Sequence, residues 1–131
     1  MLTQPPLDRA AFERWLDDAH RRGLPSRMRL LVGMPFLSSP SNLAFWISLA
    51  NCLGRPAARQ LLHDFRRASG TGGKQGLADY CRQYNEEFLA SLTVMPGVAG
   101  LHVMPISPAS RRLALQLLPG IRTAPAQVAP A

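Results

Sequence analysis

The sequence predicts an α/β fold made of strand–loop–helix units of a parallel sheet. Two short apolar runs, residues 29–34 and residues 101–104, each lead through a Pro/Ser-rich loop into a helical run, which begins at Ser41 in one case and at Pro108 in the other. Short apolar runs bounded by glycine and proline are typical of strands buried on both faces of a parallel sheet. In such folds functional residues gather at the carboxyl ends of the strands.

The remaining elements follow from periodicity and from turn residues. Residues 2–4 resemble the end of a further strand, and Asp8 is placed to cap a helix that ends near Gly23 and Pro25. The run from Ser41 to Leu53 predicts a helix that is apolar around much of its circumference, which favours deep packing or a contribution to a pocket. Two more helices are expected, joined by a flexible glycine-rich connection. Their apolar faces are Ala58, Leu61, Leu62 and Phe65 in the first, and Leu77, Tyr80, Cys81, Tyr84, Phe88 and Leu92 in the second.

The composition suits one ordinary globular domain with a basic surface. The chain has 131 residues and a formal net charge of +7, to which Lys74 contributes the only lysine. The arginines are scattered along helices without interleaved aromatic residues, which favours solvated helix faces over a nucleic-acid surface. Binding of an anionic small molecule stays compatible with this charge. Residues 123–131 are rich in proline and alanine and predict a mobile tail.

No self-sufficient catalytic or metal site is evident. Cys52 and Cys81 lie in apolar helical patterns without metal-ligand spacing, which indicates buried free thiols of a reducing compartment. The sequence shows no secretory leader and no run of membrane-spanning length, so a cytoplasmic location without a membrane partner is expected. Neither a nucleophile with an attendant base nor a pair of carboxylates stands out, and catalysis by this chain alone is not expected.

Four features, taken in their order and spacing along the chain, resemble the C-terminal part of methylenetetrahydrofolate reductase. They are Thr3-Gln4 closing a strand before Asp8, Val32-Gly33-Met34 with a Pro/Ser loop and Asn42, the long helix at residues 80–92, and Gly97-Val98 followed by Gly100-Leu101-His102-Val103. This resemblance implies that residues 1–122 are about the last two and a half βα units of a partial (β/α)8 barrel, with extra helices.

Members of that family are flavoproteins of one-carbon metabolism and methionine biosynthesis. They pass a hydride from NAD(P)H through FAD to 5,10-methylenetetrahydrofolate and give 5-methyltetrahydrofolate. The resemblance implies that the general acid and most FAD contacts belong to an N-terminal half-barrel that this chain lacks. We then expect the chain to be a fragment or a subunit that either pairs with the missing N-terminal half-barrel or forms a homo-oligomer.

The resemblance also implies substrate-binding residues. Gln4 matches the glutamine that binds the folate pterin, Asn42 a longer amide that contacts folate, and Trp46 an aromatic residue that packs on folate or nicotinamide. Met104 and Ile106 follow the last strand and are expected to line the substrate mouth.

Each of these residues has a structural alternative. Gln4 can be a polar strand end, Asn42 a helix cap and Trp46 a core residue. Pro108 replaces an arginine that some members use for the substrate carboxylate, so Arg111 or Arg112 would have to substitute for it. His102, in the middle of a strand, is predicted to be a satisfied core residue without a catalytic role.

The alternative function is a non-catalytic α/β binding or assembly module. In that hypothesis the exposed edges of a small parallel sheet pair with another chain. A basic nucleic-acid binder is the weaker third hypothesis.

Overall fold

The computed structural model describes residues 1–118 and is a mixed helix and strand structure. Its elements are α1 (Arg9–Arg21), α2 (Leu24–Arg27), β1 (Leu30–Met34), α3 (Pro40–Leu49), α4 (Pro56–Thr93), β2 (Val98–Val103) and α5 (Pro108–Leu117). The two strands are parallel, which confirms the predicted α/β class. The predicted tail, residues 123–131, lies outside the described residues.

The sheet places β1 between two parallel neighbours. Along one side it pairs with β2, with Met34 opposite Val103. Along the other side Leu2 forms a parallel bridge with Leu31, whose N–H donates to Met1 O at 2.8 Å and whose carbonyl accepts from Thr3 N at 3.0 Å. The predicted strand end at the start of the chain is therefore present, although only as a short bridge.

The two faces of this sheet differ. Leu30, Val32 and Met34 are buried in the same apolar core as the inward residues of α3, α4 and α5. The opposite face carries Leu31 and Gly33 of β1, with His102 directly across from Gly33.

The prediction that residues 101–104 are buried on both faces is wrong, because the sheet's second face is open. His102 is exposed there rather than held in the core, and Leu2 of the neighbouring segment is 58% exposed. The alternation of side chains along a strand assigns Leu101 and Val103 to the packed face and His102 and Met104 to the open one.

Local capping signals set the helix starts. The Asp8 carboxylate accepts from Ala11 N at 3.0 Å, as predicted for α1. The helix α3 begins one residue before the predicted Ser41, because Ser39 caps it and Pro40 supplies its first turn. It also ends at Leu49 rather than Leu53, since Asn51 adopts a left-handed φ of 56°.

The long element α4 is a helical hairpin. Gly73 has φ 61° and ψ −154°, a combination that only glycine adopts readily. The ring of Phe65 packs edge-on against Tyr80 and Tyr84, with centroids 5.1 and 5.4 Å apart. Residues 15 apart in a straight helix would be separated by about 22 Å. The chain thus reverses near Gly73, and the predicted glycine-rich connection is helical on both sides of this point.

A pair of alanine substitutions tests this turn. Gly73→Ala is expected to lower the free energy of unfolding by about 1–3 kcal/mol, because a Cβ atom is strained at this φ and ψ. Gly70→Ala should raise it by about 0.5–1 kcal/mol, since this helical glycine has open space around it. Urea unfolding followed by circular dichroism measures both. Equal effects of the two substitutions would contradict the hairpin.

Within residues 1–118, no helix is both long and apolar enough to cross a bilayer.

Candidate functional site

The carboxyl ends of the strands border a cavity of about 320 Å³, here called the sheet-end cavity. Its walls come from residues 2–5, from the C-terminal half of α3 and from the end of β2. They include the apolar side chains of Leu2, Pro5, Leu49 and Ala50. This volume lies at the lower end of the range for small-molecule sites, which are about 300–1,000 Å³. The cavity can therefore accept a ring system rather than a large ligand.

Three of the five residues predicted to bind substrate, Gln4, Trp46 and Met104, line this one cavity. Gln4 directly follows the segment that pairs with β1. Met104 extends the β2 ladder, because its N–H donates to Met34 O at 2.8 Å. Trp46 reaches the cavity from α3 and is only 4% exposed. The structure thus brings these three residues, which the family resemblance named, to one edge of the sheet.

The other two predicted residues, Asn42 and Ile106, lie in a separate open groove of about 580 Å³. The Asn42 side chain is buried and accepts from Ser38 N at 3.3 Å, so it holds the loop that precedes α3. Ile106 is 51% exposed. Contact between these residues and a ligand stays a prediction, and it concerns a surface distinct from the sheet-end cavity.

Gly33 lets the chain segments beside this cavity approach one another. A Cβ atom at this position would lie 2.5 Å from Met104 Cε and 2.7 Å from the backbone oxygen of Thr3. The Gly33 N–H also donates to the Thr3 hydroxyl at 3.3 Å. Glycine in a strand commonly marks such a close approach. Gly33 therefore fixes the spacing between Thr3 and Met104, both of which line the cavity.

The polarity of the cavity comes from uncharged or weakly basic groups. The Gln4 amide, the Thr3 hydroxyl and the His102 imidazole line it, and none of the described lining residues is an arginine, a lysine or a carboxylate. The amide, hydroxyl and imidazole suit a neutral heterocycle better than an anion. The indole Nε1 of Trp46 is fully buried without a hydrogen-bond partner among the described residues, so it adds no polar surface to the cavity.

The sheet-end cavity alone does not fit a flavin dinucleotide. A pyrophosphate is bound by cationic side chains or by free N–H groups at a helix N-terminus, whereas Trp46, Leu49 and Ala50 come from the C-terminal half of α3 and its cap. Within residues 1–118 no group of three His, Cys, Asp or Glu side chains could hold a metal ion.

The two cysteines lie away from this cavity. Cys81 is buried, and burial raises the pKa of its thiol to about 11, so the thiol is protonated and unreactive at neutral pH. Cys52 is half-buried and follows the end of α3, which corrects its predicted place within a helix. Both cysteines are free thiols, as the sequence predicts.

Sequence reasoning missed two polar clusters that support the strand ends. Asn85 is fully buried, accepts from Leu37 N at 3.0 Å and donates to Leu37 O at 2.9 Å, so α4 holds the loop after β1. Three serine hydroxyls, those of Ser38, Ser107 and Ser110, lie within 2.9–3.3 Å of one another and join the loops that follow β1 and β2. The sequence did indicate that Asn85 is buried, because it lies on the same helical face as Cys81 and Phe88.

Comparisons of the chain with protein-family models, with curated proteins and with solved structures find no match. The resemblance to methylenetetrahydrofolate reductase therefore stays a hypothesis that rests on the sequence features. Ligand binding by the residues of the sheet-end cavity can test it.

Proposed function

We propose that this chain is the folate-side wall of a flavin-dependent barrel similar to methylenetetrahydrofolate reductase, with residues 1–122 as its last two and a half βα units. The observation that carries the proposal is the meeting of Gln4, Trp46 and Met104 in the sheet-end cavity. In the complete assembly, NAD(P)H would supply a hydride that reaches 5,10-methylenetetrahydrofolate through FAD. The residues that bind FAD and donate the proton would belong to a partner half.

The strand order supports a barrel segment. The segment at residues 1–3, β1 and β2 lie side by side, parallel and in chain order, as successive strands of a (β/α)8 barrel do. One face is packed against helices, whereas the face with His102 is open. Since parallel sheets are normally covered on both faces, a partner that continues the barrel would cover this face and the two outer strand edges.

The cavity chemistry supports a pterin ring. A pterin edge presents hydrogen-bond donors and acceptors next to each other, and the Gln4 amide offers both kinds of group in return. Trp46 and Met104 supply apolar surface for the flat ring. Because no charged side chain lines the cavity among the described residues, the negatively charged tail of folate would extend out of it.

Removal of the Gln4 amide tests the substrate assignment. Gln4→Ala is expected to weaken binding of 5-methyltetrahydrofolate by about tenfold, because a hydrogen-bonding amide in a partly desolvated site is worth about 1–2 kcal/mol. Isothermal titration calorimetry measures the affinity. Gln60→Ala is the control, since Gln60 is exposed on α4, away from the cavity, and bonds Asp64. Equal affinities of the wild type and Gln4→Ala would contradict the role of Gln4, and an absence of binding would contradict the folate assignment.

An assembly module is the second candidate function. It is favoured by large apolar side chains that are about half exposed, namely Leu2 at 58% and Leu49 at 56% in the sheet-end cavity and Phe45 at 48% in the separate groove. Such surface, together with open strand edges, is typical of interaction sites. Sedimentation velocity should then show self-association or partial unfolding of the isolated chain. A monodisperse and cooperatively melting monomer would contradict this candidate.

A further inference from the structure

The open groove of about 580 Å³, here called the helix-start groove, lies where α3 and α5 begin. The loops that follow β1 and β2 line it with the serines Ser38, Ser39 and Ser107. Among its described lining residues there is no aspartate or glutamate, and Arg112 is the one charged side chain. This surface therefore differs from the uncharged sheet-end cavity, and its charge suits an anion.

Each of the two helices presents a backbone N–H without an acceptor to this groove. The first N–H groups of an α-helix have no partner within the helix. The capping serine hydroxyls accept from the third residue of each helix, Asn42 N and Ser110 N, both at 3.0 Å. The N–H groups of the second residues, Ser41 and Ala109, have no hydrogen-bond partner within residues 1–118. Both residues line the groove, where such N–H groups attract negative charge.

A buried side-chain amide adds a donor that the chain itself does not use. Asn42 is 8% exposed, and its Oδ1 atom accepts from Ser38 N at 3.3 Å. Its Nδ2 atom donates to no group within residues 1–118, and it is not sealed from solvent as Trp46 Nε1 is. Buried amides are normally bonded through both ends, because an unpaired buried donor is unfavourable. The Asn42 amide, which lines the groove, thus points to an acceptor from outside the chain.

Arg112 supplies a positive charge that no carboxylate of the described chain neutralises. It lies four residues after Pro108 on the same face of α5, and helical side chains lean towards the N-terminus of their helix. No ion pair within residues 1–118 includes Arg112. Asp79 borders a neighbouring cavity together with Arg112, but it accepts from Gln75 at 2.9 Å instead. The Arg112 guanidinium can therefore bind an anion at the start of α5.

We propose that the helix-start groove binds the phosphate group of a small phosphate monoester. The donors are the two backbone N–H groups, the Asn42 amide and the Arg112 guanidinium, all of which border this groove. A phosphate has three terminal oxygens for these donors, whereas a carboxylate has two. Phe45 and Ile106, which are 48% and 51% exposed, give the groove apolar surface for the organic part of the ligand.

This inference goes beyond the proposed function, which concerns the sheet-end cavity. The family resemblance assigned Asn42 and Ile106 to folate, whereas the donors of the groove favour a phosphate. The two assignments separate experimentally, because folate carries carboxylates and no phosphate.

The test is a ¹⁵N–¹H NMR titration of the full chain at constant ionic strength. The probes are adenosine 5′-monophosphate, inorganic phosphate, adenosine, acetate and 5-methyltetrahydrofolate. We expect the monophosphate to shift the backbone cross-peaks of Ser41 and Ala109 and the side-chain cross-peaks of Asn42 in a saturable way. Inorganic phosphate should shift the same signals with lower affinity, because it lacks an organic part. Adenosine and acetate should leave them unmoved.

Two variants remove single donors. Arg112→Gln is expected to weaken binding of the monophosphate about tenfold, which corresponds to the loss of one charge-assisted hydrogen bond. Arg111→Gln is the matched control, since Arg111 is the exposed neighbour on α5 and is not among the residues that line the groove. It should leave the affinity nearly unchanged.

Asn42→Asp keeps an oxygen for Ser38 N and replaces the amide donor by a negatively charged oxygen. It should abolish binding of the monophosphate, while its Tm without ligand stays close to the wild-type value, because a carboxylate in the first turn of a helix is favourable. An amide with a purely structural role would not produce this combination.

Several outcomes would overturn the inference. They are unmoved cross-peaks of the groove with both phosphate probes, an affinity for acetate equal to that for inorganic phosphate, and equal losses of affinity in Arg111→Gln and Arg112→Gln. A response of the groove to 5-methyltetrahydrofolate alone overturns the inference and leaves the proposed function in place. Binding of the monophosphate in the groove, with no binding of 5-methyltetrahydrofolate anywhere on the chain, supports the inference and overturns the proposed function.

Discussion

Asn85→Ala is expected to lower the free energy of unfolding by about 3–5 kcal/mol. The Asn85 amide accepts from Leu37 N at 3.0 Å and donates to Leu37 O at 2.9 Å and to Cys81 O at 2.6 Å. Alanine would leave the N–H and the carbonyl of Leu37 without partners at a site where Asn85 and Leu37 are 0% and 1% exposed. Each buried group left unpaired costs about 1–3 kcal/mol.

A strained residue beside this contact makes the loop prone to change its conformation when Asn85 is removed. Phe36 adopts φ 53°, which is rare for an aromatic residue, and it is fully buried directly before Leu37. Asn85 holds the next residue and so helps keep this conformation. Without the amide, the loop that carries the chain from β1 into α3 should relax.

Urea unfolding, monitored by circular dichroism, measures the effect of Asn85→Ala. Gln83→Ala is the matched control because Gln83 is an exposed amide on the same helix and donates to Glu87 at 3.0 Å. Its effect should stay within about 0.5 kcal/mol. A change below 1 kcal/mol in Asn85→Ala would show that the Leu37 contact is not a main support of the strand end.

The elements that the sequence predicted well are those set by short-range signals. Asp8 caps α1 through a hydrogen bond three residues away. Gln4 and Met104, which the family resemblance named, follow parallel strand segments and lie together because the carboxyl ends of such strands share one edge. The helix pair within residues 56–93 followed from its apolar periodicity, although the sharp reversal at Gly73 did not.

What the sequence could not predict depends on individual side-chain contacts and on how the elements pack together. Asn42 lies one helical turn before Trp46, yet its amide binds back to Ser38, so it does not line the sheet-end cavity. The expectation of a buried His102 assumed a sheet that is covered on both faces. Its exposure follows from which elements pack on the sheet, and residues 101–104 alone carry no information about this.

Gly33→Ala is expected to lower the free energy of unfolding by about 3 kcal/mol and to weaken binding in the sheet-end cavity. The added methyl group would lie 2.7 Å from Thr3 O and 2.5 Å from Met104 Cε. The Met104 side chain can move aside, but the Thr3 oxygen belongs to the backbone. The segment at residues 1–3 would therefore have to shift away from β1, and it would carry Gln4 with it.

Two further variants resolve this mechanism. Gly54→Ala is the control, since no atom lies within 4 Å of a methyl group there, and it should leave both stability and binding of 5-methyltetrahydrofolate nearly unchanged. Met104→Ala in the Gly33→Ala background removes the side-chain clash and keeps the clash with the Thr3 backbone. The double mutant should therefore stay less stable than Met104→Ala alone. Urea unfolding of the wild type, the two single mutants and the double mutant gives the coupling energy between positions 33 and 104.

If Gly33→Ala is as stable as Gly54→Ala, the close packing of Thr3 on β1 is not the contact that positions Gln4. A destabilised Gly33→Ala that keeps full affinity for 5-methyltetrahydrofolate would instead separate the strand contact from the binding site.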